Sequence, residues 1–318
     1  MKISLLEPLG VPEEKIMALA QGLQAQGHEF VYYPQLSADA DELAARGQDS
    51  DIIMIANHPY PEKAVMEAKK LKMLSVAFTG IDHIDQNACR EKNVMICNAS
   101  GYSTQTVAEL ALGMAVSALR KLSEAQERTR NGGTSAGIGG GEIAGRTVGI
   151  VGLGKIGLRT AQLFQAFGAR VIAFSRTQKE QAKAMGIEYV PLDKLMECSD
   201  IVSVHLPLNG ETRGMIGAAQ IARMKKTAIL INCARGPIVD NTALADALNG
   251  GRIAYACVDV FDMEPPLPAD YPLLHAKNTL LTPHIGFISE ESMLRRAQIV
   301  FDNVYAYLAG KPINVCRI

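Results

Sequence analysis

A short apolar run, Val148-Gly149-Ile150-Val151, leads into Gly152-x-Gly154-x-x-Gly157 and then into a helix-like segment. That order is how a βαβ unit that cradles a dinucleotide pyrophosphate begins. Gly152 allows a tight turn, Gly154 lets backbone N–H groups approach phosphate oxygens, and Gly157 lets the helix pack close to the strand. Lys155 and Ile156 open the helix, whose positive end then faces the anion. Leu158 and Arg159 follow Gly157, so the stretch is not a P-loop, which would carry Lys-Ser or Lys-Thr there.

At 318 residues the chain has length for two domains, and 48% hydrophobic residues supply a core for each. The net charge is −1 with no basic patch, which argues against a nucleic-acid partner. No run of about 18 apolar residues exists, so no membrane span is expected. The opening residues are too soon interrupted for a signal peptide and read as a first strand. Cys89, Cys97, Cys198, Cys233, Cys257 and Cys316 form no CxxC pair, which suits buried thiols in a reducing cytoplasm. Nothing in the His and Cys spacing suggests a metal site.

Along residues 1–99 strand-like runs at 2–6, 29–33, 51–56, 73–77 and 94–97 alternate with helical stretches such as 13–26 and 61–70. Alternation of this kind predicts a parallel sheet with helices on its faces. Residues 104–122 predict one long helix, N-capped by Ser103 or Thr104, with Val107, Leu110, Ala111, Met114 and Leu119 on an apolar face suited to a subunit or domain contact. The glycine-rich stretch 132–141 predicts a surface loop. Six strands are then expected, at 147–151, 170–174, 201–205, 228–232, 253–258 and 279–281. The final helix, 289–308, needs a core, and the first domain is the natural one. The substrate domain is therefore expected to be discontinuous, 1–99 with 286–318, and the dinucleotide-binding domain to be 100–285. Two chain crossings predict a hinge and a cleft.

The residue that reads the adenosine ribose should follow the second strand of this unit, at Ser175. An acid there would accept both ribose hydroxyls and repel a 2′-phosphate. Ser175, Arg176 and Thr177 instead suit the phosphate, so NADP is the expected cofactor and NAD the alternative.

Three strand-end motifs carry the chemistry: Asn232-Cys233-Ala234-Arg235-Gly236, Asp259 to Pro265, and Thr282-Pro283-His284-Ile285-Gly286. Ligands of open α/β sheets bind at such ends. Arg235 has the fork to hold a carboxylate. His284 can exchange a proton near neutral pH, and Glu264 on its other ring nitrogen would orient the ring and favour its charged form. With a nicotinamide supplying hydride, the set would reduce a 2-keto acid to a 2-hydroxy acid.

The chain as a whole resembles the D-isomer-specific 2-hydroxyacid dehydrogenases. The likeness rests on Phe78-Thr79-Gly80-Ile81-Asp82-His83-Ile84-Asp85, Val107-Ala108-Glu109, Val151 to Gly157, His205-Leu206-Pro207, and the three strand-end motifs. It implies an α/β protein of two doubly wound parallel-sheet domains, a Rossmann dinucleotide-binding domain inserted into a flavodoxin-like substrate domain. It gives catalytic roles to Arg235, Glu264 and His284, and has the loop Ala77, Phe78, Thr79, Gly80 and Ile81 offer backbone N–H groups to the substrate carboxylate. It places Thr104, Pro207, Thr212, Cys233 and Asp259 along the cofactor, where His205, Leu206, Ala234 and Gly286 are also expected. It further implies a homodimer with the helix after Thr104 at the interface. Gly101 to Thr104 looks like members that act on hydroxypyruvate or glyoxylate. A phosphoglycerate enzyme and a nucleotide-sensing corepressor on the same scaffold are the alternatives. Two departures stand out: the chain has no tryptophan before the cofactor domain, and Ser175 replaces the common aspartate.

Overall fold

The computed structural model describes residues Met1–Ile318. The chain forms two compact units, Met1–Ser103 with Ile288–Ile318, and Thr104–Phe287. Tyr102 and Ser103, 1% and 3% exposed, stay with the first unit, where the Arg295 side chain donates to the Tyr102 carbonyl. The chain thus leaves that unit after Ser103 rather than after residue 99, and returns at Ile288.

The first unit holds strands β1 (Lys2–Leu5), β2 (Glu29–Tyr32), β3 (Ile52–Ile55), β4 (Met73–Val76) and β5 (Met95–Asn98). They run parallel in the order β2-β1-β3-β4-β5, the flavodoxin-like order. Every residue of β3 and β4 is buried, as parallel strands covered on both faces require. The helix Glu290–Leu308 packs Ala297, Val300, Phe301 and Val304 into this unit's core. Ser289 caps it by accepting from Ser292 N.

The second unit holds β6 (Thr147–Val151), β7 (Arg170–Phe174), β8 (Glu188–Tyr189), β9 (Ile201–Val204), β10 (Ile229–Asn232), β11 (Tyr255–Val258) and β12 (Thr279–Leu281). Their order is β12-β11-β10-β9-β6-β7-β8, all parallel, which is the Rossmann order extended by one strand. The extension is β12, and the strand that the sequence does not show is β8, whose two residues leave no period to read.

The helix Thr104–Arg120 buries Val107, Ala108, Ala111, Met114, Ala115 and Ala118 against the core of its own unit. Its apolar face is thus largely accounted for without a partner; Leu110 and Leu119 are only partly buried. The helix stops at Lys121, which adopts a left-handed φ of 50°. A second helix, Leu122–Arg130, follows with no buried residue, where the sequence offered no apolar period. No helix is long and apolar enough to cross a membrane.

Candidate active site

The three glycines after β6 are demanded by three different surroundings. Gly152 has φ +97°, and a Cβ there would stand 2.7 Å from the His205 carbonyl oxygen. A Cβ at Gly157 would stand 2.0 Å from the Gly152 carbonyl oxygen, so the helix Lys155–Ala166 rests directly on the turn. A Cβ at Gly154 would meet nothing within 4 Å. Gly154 is the N-cap of that helix, with no side-chain cap and no acidic residue in the first turn. Uncapped N–H groups under open space form a cradle for an anion. These residues fit a dinucleotide pyrophosphate.

The walls beside the cradle come from the ends of β7 and β9. Ser175, Arg176 and Thr177 follow β7, and Arg176 Nη1 pairs with Glu211 Oε2 at 2.9 Å, both side chains 73% exposed. Glu211 is placed by a turn in which Asn209 Oδ1 accepts from the N–H groups of Glu211 and Thr212. The Thr212 hydroxyl donates to the Pro207 carbonyl at 2.7 Å, which fixes the loop after Leu206. His205 continues β9 by donating its N–H to the Val151 carbonyl. Its Nε2 meets the Ser203 hydroxyl at 2.8 Å, and its Nδ1 is shielded with no hydrogen-bond partner. Burial pushes the imidazole down to about 3, so the ring is neutral at pH 7.

The three strand-end motifs lie side by side because β10, β11 and β12 are neighbours in register, Asn232 against Val258 and Val258 against Leu281. Past β10, the Asn232 side chain accepts from Ala234 N and donates to the Arg235 carbonyl, which closes the turn that presents Arg235. A Cβ at Gly236 would lie 1.8 Å from backbone atoms of Phe261, so only glycine lets this turn press against the one after β11.

His284 follows β12 in a left-handed conformation, φ +57°. Its Nδ1 lies 2.9 and 3.0 Å from the two carboxylate oxygens of Glu264. The ring is 13% exposed and stands edge-on to Phe287 at 5.2 Å, whereas Glu264 is 70% exposed. Carboxylate and aromatic wall together fix which ring nitrogen faces inward.

Asp259 is the buried keystone of this loop, 1% exposed. Its carboxylate accepts from Thr282 Oγ1 at 2.6 Å, Ile285 N at 2.9 Å and Gly286 N at 2.8 Å, and its carbonyl accepts from His284 N. Burial pushes its carboxyl above the usual range, and those hydrogen bonds oppose the rise. The family resemblance places Asp259 along the cofactor; its hydrogen bonds also hold the loop that carries His284. Cys233 turns its Sγ toward Met114 Sδ, 3.6 Å away, in the core. Thr104 begins the helix Thr104–Arg120, and Ala234 contributes to the turn before Arg235.

In the first unit, Ala77 to Ile81 follow β4, and Ala77 and Phe78 are buried. Phe78 packs beside Tyr102, ring centroids 6.1 Å apart. The Phe78 carbonyl accepts from Ala99 N and the Thr79 carbonyl from the Asn98 side chain. Trans peptide planes then turn the N–H groups of Thr79 and Gly80 to the side away from β5. A second cluster escaped the sequence reading: Glu7, 5% exposed, accepts from Ala56 N and meets His58 Nδ1 at 2.6 Å. Those residues are far apart in sequence, so only the strand order could have shown it.

A family model described as D-isomer specific 2-hydroxyacid dehydrogenase, NAD binding domain, matches residues 112–286. The chain is 38% identical over 281 residues to a glyoxylate reductase of Korarchaeum cryptofilum, covering 86% of this chain and 84% of that one. It is 32% identical over 302 residues to a hydroxypyruvate reductase of Blautia hydrogenotrophica, covering 93% and 94%. The solved structure of an acyclic imino acid reductase in complex with NADPH and D-Arg superposes with a TM-score of 0.90 at 28% identity, covering all of both chains.

Proposed function

Because the chain belongs to the D-isomer-specific 2-hydroxyacid dehydrogenases, we propose that it reduces glyoxylate and hydroxypyruvate, with NADP as the preferred cofactor and NAD as the second. A nicotinamide dinucleotide held at the glycine turn Gly152–Gly157 would supply the hydride chemistry. The residues of the chain do the rest. Arg235 holds the substrate carboxylate through its fork and sets the pose. Glu264 holds Nδ1 of His284, so Nε2 is the nitrogen that gives its proton to the keto oxygen as that oxygen gains charge. In oxidation Nε2 takes the proton back. Asp259 keeps the His284 loop in place. In the first unit, the Thr79 and Gly80 N–H groups bind a carboxylate.

The observation that carries this reading is Glu264 spanning Nδ1 of His284 with both oxygens, on strand ends next to the one that presents Arg235. Purified protein should oxidise NADPH when given either keto acid and form the matching 2-hydroxy acid. No turnover with either would refute the proposal.

The NADP preference is supported by Arg176 beside Ser175 and Thr177. Arg176 is held by Glu211, but an exposed pair of this kind is worth about 0–1 kcal/mol. A dianionic 2′-phosphate can therefore draw Arg176 away. Assembly as a homodimer is proposed on family likeness; sedimentation equilibrium giving twice the monomer mass is the expected result.

A further inference from the structure

Glu264 meets the ring of His284, yet its side chain is 70% exposed. Burial does little to place it, so the position of the carboxylate follows from the backbone that carries it. That backbone is the irregular chain between β11, which ends at Val258, and the short helical turn Pro272–His275. Pro265 and Pro266 follow Glu264 and have no N–H to donate, so no amide ties the chain down on that side.

An anchor lies two residues before Glu264. The Tyr271 hydroxyl donates to Asp262 Oδ1, and Asn241 Nδ2 donates to the Tyr271 oxygen at 2.9 Å. The groups fix these directions: a carboxylate only accepts, a phenol has one proton, and an amide nitrogen only donates. Burial, and after it the Asp262 carboxylate, pushes the Tyr271 phenol well above its usual value, so it keeps its proton at neutral pH. Tyr271 is buried in the core of the second unit with Leu244, Leu248 and Leu273. Its ring stands edge-on to Phe261 at 5.7 Å, and the backbone of Phe261 lies against Gly236. The Phe261-Asp262 segment is thus held between Tyr271 and the turn that presents Arg235.

Asn241 opens the helix Asn241–Asn249, whose cap Asp240 accepts from Ala243 N. Asn241 is buried, and its Oδ1 has no hydrogen-bond partner. A buried amide oxygen left unpaired costs stability. An apolar residue would avoid that cost but would lose the donor that aims Tyr271. A local cost of this kind, kept beside a site, points to a role in the site.

We infer that Tyr271 is a positioning residue: aimed by Asn241, it holds Asp262 and with it the loop on which Glu264 grips Nδ1 of His284. The inference rests on the proposed function above for what that grip achieves, and adds the residues that keep it in place. Tyr271 acts through Asp262 and Glu264, so its loss should resemble a weakened Glu264.

The test compares Tyr271→Phe, which keeps the ring and its packing, with Asp262→Ala, which changes an exposed side chain and leaves the core intact. The first readout needs no substrate. It is the NMR resonance of the Nδ1–H proton of His284, assigned by its loss in His284→Ala. Both variants should weaken or abolish it as the proton exchanges faster with water. Asp262→Asn, which keeps an acceptor for the Tyr271 hydroxyl, should retain it. The second readout is steady-state reduction of hydroxypyruvate with NADPH. Tyr271→Phe and Asp262→Ala should each lower kcat on the order of tenfold with KM little changed, the worth of a hydrogen bond to a charged group. In a Glu264→Gln background, Tyr271→Phe should cost nothing further, because the group it places has already lost its hold on the ring. A merely structural role would lower kcat by the same factor in both backgrounds and leave the His284 resonance unchanged, and that result overturns the inference. If Tyr271→Phe fails to fold, Asp262→Ala carries the same test. An intact protein that reduces no keto acid overturns the reductase reading alone, and the resonance still decides the role of Tyr271.

Discussion

At the scale of single residues, Glu264 holds the His284 ring at Nδ1 and Asp259 holds the loop that carries it. Arg235→Ala should lower kcat/KM on the order of a hundredfold or more, since it removes charge-assisted hydrogen bonds to the carboxylate. Steady-state kinetics should show the loss mainly in KM, and an unaltered KM would contradict that role. Glu264→Gln should leave substrate binding largely intact and lower kcat, because the amide no longer holds Nδ1 of His284 as a carboxylate does. Arg176→Ala should weaken NADPH binding more than NADH binding, read by fluorescence titration, and equal losses would remove the NADP preference. His205 makes a prediction about stability. Its folded value of about 3 lies below the unfolded value near 6.5, so folding favours the neutral ring. Its stabilising contribution is complete above pH 6.5 and falls as pH drops toward 3, by about 1.4 kcal/mol per pH unit. The urea midpoint should therefore drop between pH 7 and pH 5 in the intact protein, and drop less in His205→Asn. Arg235, Glu264 and His284 were legible in the sequence because each sits in a short motif at a strand end. Asp259 was visible as a residue but not as a clamp, since its partners belong to the next strand's loop. The Glu211–Arg176 and Glu7–His58 pairs join different loops and leave no local signal.

At the scale of elements, the glycine turn after β6 leaves no room for a side chain at Gly152 or Gly157. Gly157→Ala would place a methyl group 2.0 Å from the Gly152 carbonyl, so helix and strand must separate. Overpacking of this sort costs about 1–3 kcal/mol. The variant should melt lower and bind both dinucleotides weakly. A melting temperature equal to that of the intact protein would show that the turn relaxes freely. The alternation of strand and helix was legible because buried parallel strands are near-continuous apolar runs, unbroken in β3 and interrupted only by Ser75 in β4, Ser203 in β9 and Asn232 in β10. Two elements were not. Strand β8 is too short to carry a period, and the polar helix Leu122–Arg130 has no apolar face. The width of the apolar face on the helix Thr104–Arg120 suits a subunit or domain contact. The structure buries that face largely within its own unit, since a helix covering a parallel sheet needs the same stripe.

At the scale of the whole molecule, the chain forms two parallel-sheet units of different strand order, and each brings its functional groups to the carboxyl ends of its strands. The glycine fingerprint marked the Rossmann unit directly. The flavodoxin-like unit had only its rhythm, so its order, and the acid–imidazole pair at its switch point, became visible only in three dimensions. Reduction of a 2-keto acid with His284 as the proton donor can be followed by single-turnover oxidation of NADPH by hydroxypyruvate across pH, in the intact protein and in His284→Ala. The variant should still bind NADPH but transfer hydride roughly 10²–10⁴ times more slowly, with the pH dependence of the intact enzyme lost. Equal rates and equal pH profiles in the two proteins would contradict it.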